Sequence, residues 1–237
     1  MEIESLSKNQ IIKKCENLIQ RENCANIVTL NSLMIRFLWH RKDVKEVIRR
    51  ASLIVADSIG MVLAFLLLNK RLVTRYPGIE MMTDLINRGW STGLIGGKKG
   101  IALKAAEKIR SKNKKAEIKF IHHGYFSREE ESKIINKINK MKLDAVFVGL
   151  NIPYQEIWID KIKKKINSGI IMGVGGSFDV LSGRLTRAPY GFRITGIEWF
   201  WRMILEPWRF SRLFGLILFV GEVTWRFFKG VKLENNK

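Results

Sequence analysis

The sequence predicts an α/β fold, with a mainly parallel sheet, helices on both of its faces and a C-terminal helical, aromatic and basic appendage. Three observations lead there. Short apolar runs rich in Val and Ile alternate with longer segments of helical period, the pattern of a buried parallel sheet with crossover helices. Two of the runs pass into glycine turns, Gly96-Gly97 and Gly175-Gly176, and one ends on a carboxylate, Asp57. Parallel strands that finish this way present their chemistry at the carboxyl edge of the sheet. With 237 residues the chain buries roughly 70–75% of the surface its unfolded form exposes, so the core needs no disulfide.

Ala25 to Leu30 is the first expected strand, and Ser32 stands where it can cap a helix through Met34, Phe37 and Leu38. A second helix is expected over 43–50. Ala51 to Asp57 is a compact apolar run of strand length, followed by a helix over 60–68 and an Arg75-Tyr76-Pro77-Gly78 turn. Ser91 to Gly100 reads as a strand entering a glycine turn, with a helix over 101–112 behind it. Glu117 to His122, Asp144 to Leu150 and Ile170 to Val174 are further strands, and Arg128 to Met141 and Gln155 to Asn167 are the helices between them. The composition changes near Gly191: residues 191–237 hold four of the seven Trp, seven of the 13 Phe, eight Lys/Arg and four Glu. The expected division is therefore a sheet domain over 1–190 and an appendage over 191–237.

Lys and Arg outnumber Asp and Glu by 42 to 22, a formal charge of +20 that calls for a polyanionic partner: nucleic acid, an anionic membrane face or a phosphorylated substrate. Cys15 and Cys24 have neither disulfide-framework nor zinc-site spacing, and a reducing cytoplasm is the simplest setting. The first residues lack the basic-then-apolar order of a signal peptide, so export is not expected. The longest uncharged apolar runs, Ile59 to Leu68 and Leu213 to Gly221, are about half the ~20 residues of a membrane span. Peripheral membrane contact stays open.

Several constellations admit both a chemical and a purely structural reading. The turn Gly96-Gly97-Lys98-Lys99-Gly100 puts backbone amides at a helix N-terminus, which suits a diphosphate but equally serves an ordinary strand-to-helix turn. Asp57 is either a general base at a strand end or a cap for the segment that follows. Thr29 and Asn31 reach the same edge, or make turn chemistry. Gln155 can hydrogen-bond a sugar or base edge, with Glu156 beside it in the first turn of a Pro-led helix, or both simply start that helix. Gly175-Gly176 allows close ligand approach or tight packing. In the appendage Arg202, Arg209 and Arg212 alternate with Trp199, Trp201 and Trp208, as suits anionic lipid or a lipid diphosphate; a core helix with a solvated basic face and a nucleic-acid surface are the other readings. His40 and His122-His123 show no metal-ligand spacing and no Ser/His/Asp or Cys/His order stands out, so no metal or other cofactor is expected.

Taken together, Thr29-Leu30-Asn31, Ala56-Asp57-Ser58-Ile59-Gly60, Arg75-Tyr76-Pro77-Gly78-Ile79-Glu80, Leu94-Ile95-Gly96-Gly97, His123-Gly124-Tyr125-Phe126, Pro153-Tyr154-Gln155-Glu156, Val174-Gly175-Gly176-Ser177-Phe178-Asp179, Arg187-Ala188-Pro189, Glu198-Trp199 and Glu206-Pro207-Trp208-Arg209 follow the order of motifs in the WecG/TagA/CpsF glycosyltransferase family of bacteria. The chain resembles that family over roughly residues 27 to 212, and its TagA branch most. The resemblance implies a Rossmann-like, metal-independent, inverting transferase. Such an enzyme moves an N-acetylmannosamine-type sugar from UDP to a lipid-linked N-acetylglucosamine diphosphate, in teichoic acid linkage-unit synthesis for TagA members. It also implies roles: Asp57 as general base; Thr29, Asn31 and Gln155 lining the sugar pocket; Arg75, Gly96, Gly97, Glu156, Gly175 and Gly176 in substrate binding. Arg202, Arg209 and Arg212 would meet the diphosphates as the appendage closes at the inner face of the cell membrane.

Four positions depart from the family's usual pattern: Ser58 for glycine, Glu80 for aspartate, Tyr154 for lysine and Asn151 for glycine. Glu80 keeps the charge with a longer reach; Tyr154 removes a cation. A sister activity with the uronic acid form of the donor is the near alternative, and a basic nucleic-acid-binding module is the rival from another class. Against the rival, residues 1–190 carry +16 and the appendage +4, so the charge is spread rather than gathered into a motif. The family reading therefore expects no nucleic-acid partner, and a homo-oligomer is compatible with it.

Overall fold

The computed structural model describes residues 3–233 of the chain, apart from the side chain of Arg209. Six strands form one all-parallel sheet: β1 (Ala25–Leu30), β2 (Leu53–Ala56), β3 (Thr92–Gly96), β4 (Ile118–His122), β5 (Ala145–Gly149) and β6 (Ile170–Gly173), in the order β2-β1-β6-β5-β3-β4. The register aligns the strand ends, with Leu30 beside Ala56 and Gly96 beside Gly149, so the carboxyl ends share one edge.

The connecting helices are α1 (Lys8–Arg21), α2 (Ser32–His40), α3 (Lys42–Arg49), α4 (Ile59–Asn69), α5 (Gly78–Asn87), α6 (Ile101–Lys112), α7 (Arg128–Met141), α8 (Tyr154–Ile162) and the short α9 (Ser177–Leu181). Side chains alternate along each strand between two cores. Ile27, Leu94, Phe147 and Met172 face α1, α5 and α6; Val28, Ile95, Val148 and Ile171 face α2, α3, α4, α7 and α8 on the other side. Both faces are therefore apolar, which is why the strands read as continuous Val/Ile runs.

Three helices lie outside the expectations, among them the short α9, where only a glycine turn was expected over 174–179. α1 begins at a capping box, in which Ser7 Oγ and Gln10 exchange hydrogen bonds with each other's backbone, so its signal was a Ser-x-x-Gln pattern. α5 begins directly behind Pro77, where only a turn was expected. α8 is shorter than the segment to Asn167. Asn139 of α7 donates to the Lys165 carbonyl at 2.9 Å and accepts from the Asn167 N–H at 2.7 Å, satisfying the backbone outside the helix.

Residues beyond 190 form α10 (Tyr190–Ile194), α11 (Glu198–Leu205), a 3-10 turn at Pro207–Arg209 and α12 (Phe210–Phe228). α12 lies against α2 and α4 and inserts Phe219 and Val223 into the core that also holds Val28 and Leu30. Trp39 stacks on Phe219 at 6.1 Å, Arg226 covers Trp39 at 4.3 Å, and Glu222 joins Arg36 and His40. No helix among the described residues is long and apolar enough to cross a membrane.

Candidate active site

The shared carboxyl edge opens into a cleft of about 1410 Å³ between the strand ends on one side and α2, α11 and α12 on the other. Asp57, one residue past β2, stands in it. Its N–H is held by the Leu30 carbonyl at 2.9 Å, and Tyr76 N–H bonds the Ala56 carbonyl at 2.8 Å, so residues 75–76 run beside the end of β2. That pairing carries Gly78 over Asp57, whose Oδ1 accepts the Gly78 N–H at 2.8 Å. Asp57 thus does cap a helix, but α5 rather than the α4 that follows it; Ser58 occupies the N-cap position of α4 and makes no side-chain cap bond there. A side chain at Gly78 would come within 3.0 Å of Thr29 Oγ1, which explains the glycine.

Burial pushes the Asp57 carboxyl above its ordinary range and Glu198 adds to the rise; the Gly78 N–H and the Arg202 and Arg75 guanidinium groups oppose it. Arg75 is itself held by the Arg193 carbonyl at 2.8 Å and lies 3.8 Å from Glu198. Arg202, on α11, comes close to the β6 loop: a Cβ at Gly176 would lie 3.5 Å from its Nη1. Two cations and two carboxylates from β2, the 70s loop and α11 therefore meet at one point, far apart in sequence.

Thr29 donates to the Gly173 carbonyl at 3.1 Å, tying β1 to β6. Asn31 caps α2, with Oδ1 accepting from Leu33 and Met34 N–H, and still lines the cleft. Asn31 thus makes the turn chemistry while it borders the cleft, whereas Thr29 borders the cleft and spends its hydroxyl on a neighbouring strand rather than on a turn. Gln155 also lines the cleft, but its amide is engaged: Oε1 accepts from Leu150 N–H at 3.2 Å and Gly175 N–H at 2.9 Å, and Nε2 donates to Glu156 at 2.7 Å. Glu156 sits behind it and does not line the cleft.

Gly97 lines the cleft and Gly96 does not. Gly96 has φ +150°, and a Cβ there would collide with the Gly149 carbonyl, so that glycine serves the close approach of β3 and β5. The Gly97 N–H is spent on the same carbonyl at 3.0 Å. Gly175, at φ +49°, and Gly176 border the cleft, as do Arg75, Arg202 and Arg212; the Arg209 side chain lies outside the described residues.

The lining also includes residues that the sequence reading did not single out. Arg36 and His40 line one wall on α2, Arg184 is paired with Asp179 at 2.7 Å, and Glu198 faces Asp57 electrostatically. Glu198 lies in a segment already quoted and His40 was weighed only as a metal ligand; Arg184 follows α9, and the place of Arg36 and His40 at the cleft is set by α2 facing α12, which no local signal announces. Of the departures, Ser58 bonds Ser32 Oγ at 3.1 Å, Glu80 holds Lys8 at 2.8 Å and Arg187 at 3.5 Å, and Tyr154 and Asn151 stand at the cleft. Among the described residues no three His, Cys, Asp or Glu side chains are grouped as a metal site would need.

The model of the glycosyl transferase WecG/TagA/CpsF family matches residues 1–232. Among characterised proteins, the chain is 32% identical over 222 residues to N-acetylglucosaminyldiphosphoundecaprenol N-acetyl-beta-D-mannosaminyltransferase of Staphylococcus aureus strain NCTC 8325 / PS 47, covering 91% of this chain and 86% of the relative. The proteins of the same name from strains COL and N315 match to the same extent.

Proposed function

Since the chain belongs to the WecG/TagA/CpsF glycosyltransferase family, we propose that it transfers N-acetylmannosamine from UDP to an undecaprenyl-diphosphate-linked N-acetylglucosamine, in teichoic acid linkage-unit synthesis. The observation that carries the reading is Asp57: a carboxylate whose acidity is lowered by burial, standing in a large cleft beside Arg75 and Arg202. A carboxylate made more basic by burial is a better acceptor for the proton of a hydroxyl nucleophile.

In the proposed reaction Asp57 takes the proton of the acceptor hydroxyl as its oxygen attacks the anomeric carbon from the face opposite UDP. The bond to UDP breaks with inversion, and the leaving diphosphate keeps the electron pair. Arg202 and Arg212, with Arg209 from the same segment, supply positive charge where that negative charge grows. Thr29 and Asn31 border the sugar, and the Gly97 and Gly175-Gly176 turns leave room for the nucleotide.

A lipid acceptor requires the cleft to meet a membrane, and the outer side of α12 supports that. Phe210, Phe214, Ile217, Trp225 and Phe228 recur at helical spacing and are all more than half exposed, with Trp208 beside them on the cleft rim. Arg212 and Arg226 of the same helix face the other way, Arg212 into the cleft and Arg226 over Trp39, so the outer stripe would dock through its aromatic side chains. We take the protein to act peripherally at the inner face of the membrane.

The test is UDP release from UDP-N-acetylmannosamine with lipid-linked N-acetylglucosamine diphosphate, comparing the native chain with Asp57→Asn. Acceptor-dependent turnover falling by ~10²-fold or more in the variant is expected. Turnover indifferent to Asp57 would remove the base assignment, and turnover only with the uronic acid donor would move the reading to that sister activity.

A further inference from the structure

Glu156 is 3% exposed on α8, behind the cleft rather than in its lining. Its Oε1 accepts from Gln155 Nε2 at 2.7 Å, while Oε2 has no hydrogen-bond partner among the described residues. No charge faces it. β1, β5 and β6, which pack against α8, carry no ionisable side chain; those of α3 are all exposed; on α8 itself Asp160 is paired with Arg50 and Lys163, and Lys161 with Glu131. Burial accordingly lifts the Glu156 carboxyl to about 7, opposed only by the Gln155 amide and its own backbone N–H.

What Glu156 controls is the orientation of Gln155. The Gln155 Oε1 receives two backbone N–H groups, Leu150 after β5 and Gly175 after β6, and so ties together two loops that border the cleft. A flipped amide would aim its own N–H groups at these donors. Glu156 Oε1, an acceptor in either protonation state, marks which end must be Nε2. Gly173 lets the pair sit against β6: a Cβ there would collide with Gln155 Nε2 and stand 3.2 Å from Glu156 Oε1. The Gly173 carbonyl in turn holds Thr29, which touches the Gly78 position that Asp57 binds. The Glu156–Gln155 pair thus lies beneath the part of the cleft bordered by Leu150, Gly175 and Thr29.

We propose that Glu156 is a positioning residue: as the neutral acid it holds the Gln155 amide in the orientation that clamps the Leu150 and Gly175 loops, and its ionisation loosens that clamp and the grip on the nucleotide. An ionised Glu156 is a buried charge with no cation, which the site relieves by admitting water or displacing the side chain. The clamp stands on the geometry alone; the last clause rests on the UDP-sugar reading above.

The experiment measures hydrogen-exchange protection of the Leu150 and Gly175 amides, corrected for intrinsic rate, from pH 6 to pH 8.5 in the native chain, Glu156→Gln and Glu156→Met, with UDP affinity followed in parallel. Protection in the native chain falls about tenfold over that range. It stays level in Glu156→Gln, which keeps the acceptor without the charge, and is low throughout in Glu156→Met, which has neither. UDP affinity follows the same pattern. Native protection that does not change with pH, or a Glu156→Gln variant that tracks the native chain, would overturn the proposal; these two proteins decide it even if the Met variant does not fold. Failure of UDP to bind the native chain at any pH would remove the nucleotide clause together with the UDP-sugar reading, while the exchange data still judge the clamp.

Discussion

Asp57 shows how a side chain can cap a helix and still be placed for the base role proposed for it. Its Oδ1 anchors the first N–H of α5, and Oδ2 makes no hydrogen bond among the described residues, so the helix cap fixes the carboxylate without consuming it. The cap reading of the residue therefore leaves room for the proposed chemical one. Glu156 adds a pH signature of its own. Its folded-state acidity lies near 7 against an ordinary 4.5, so the native state holds the proton more tightly than the unfolded chain. The stabilisation from that proton is complete below pH 4.5 and is lost as pH rises through about 7. Glu156→Gln should therefore melt above the native chain at pH 8 and lose that advantage at pH 4.5, a course that calorimetry across pH would follow; an advantage constant with pH would contradict it.

Among the elements, α12 is amphipathic in an unusual sense, with apolar residues on both sides. Its inner side buries Phe219 and Val223 against α2 and α4, and Glu222 ties it to Arg36 and His40. Its outer side exposes Phe214 at 66% and Trp225 at 58%. The two sides predict opposite behaviour. Phe219→Ala should cost about 3–5 kcal/mol of stability, read in denaturant titration, because it opens a cavity in a shared core. Phe214→Glu should leave stability within about 0.5 kcal/mol and weaken sedimentation with anionic vesicles severalfold. Equal vesicle binding by Phe214→Glu would argue against the outer stripe as the docking face. The division at residue 190 reads differently in this light: truncation there removes Phe219, Val223 and Leu233 from the core that holds β1 and β2.

At the scale of the whole molecule, +20 of formal charge surrounds a cleft whose substrates are expected to be diphosphates. Much of that charge is lysine on α1, α6, α7 and the 161–165 segment, away from the cleft, so it acts as a field rather than as contacts. Binding to vesicles rich in anionic lipid should fall steeply between 50 and 300 mM salt, whereas binding to neutral vesicles, carried by the α12 stripe, should change little. Salt-insensitive binding to both would assign the docking to apolar contacts alone.

Much of the fold was legible because its determinants are local. Six Val/Ile-rich runs, the glycine turns and the intervening helical periods are each written within a few residues, and every expected strand is present. α1 and α5 escaped because a capping box and a Pro-led start are weaker signals than periodicity, and α9 because five residues are too few to show a helical period. The family, too, followed from motifs in order along the chain. Tertiary structure alone decided which face of Asp57 is engaged, that Arg75 and Arg202 flank it, that Gln155 is turned inward with Glu156 behind it, and that α12 belongs partly to the core. Several of these depend on pairings between residues distant along the chain, from Gly175 with Gln155, 20 positions apart, to Arg36 with Glu222, 186 apart, and the energies of charge, burial and packing are set by distance in space, which sequence spacing does not specify.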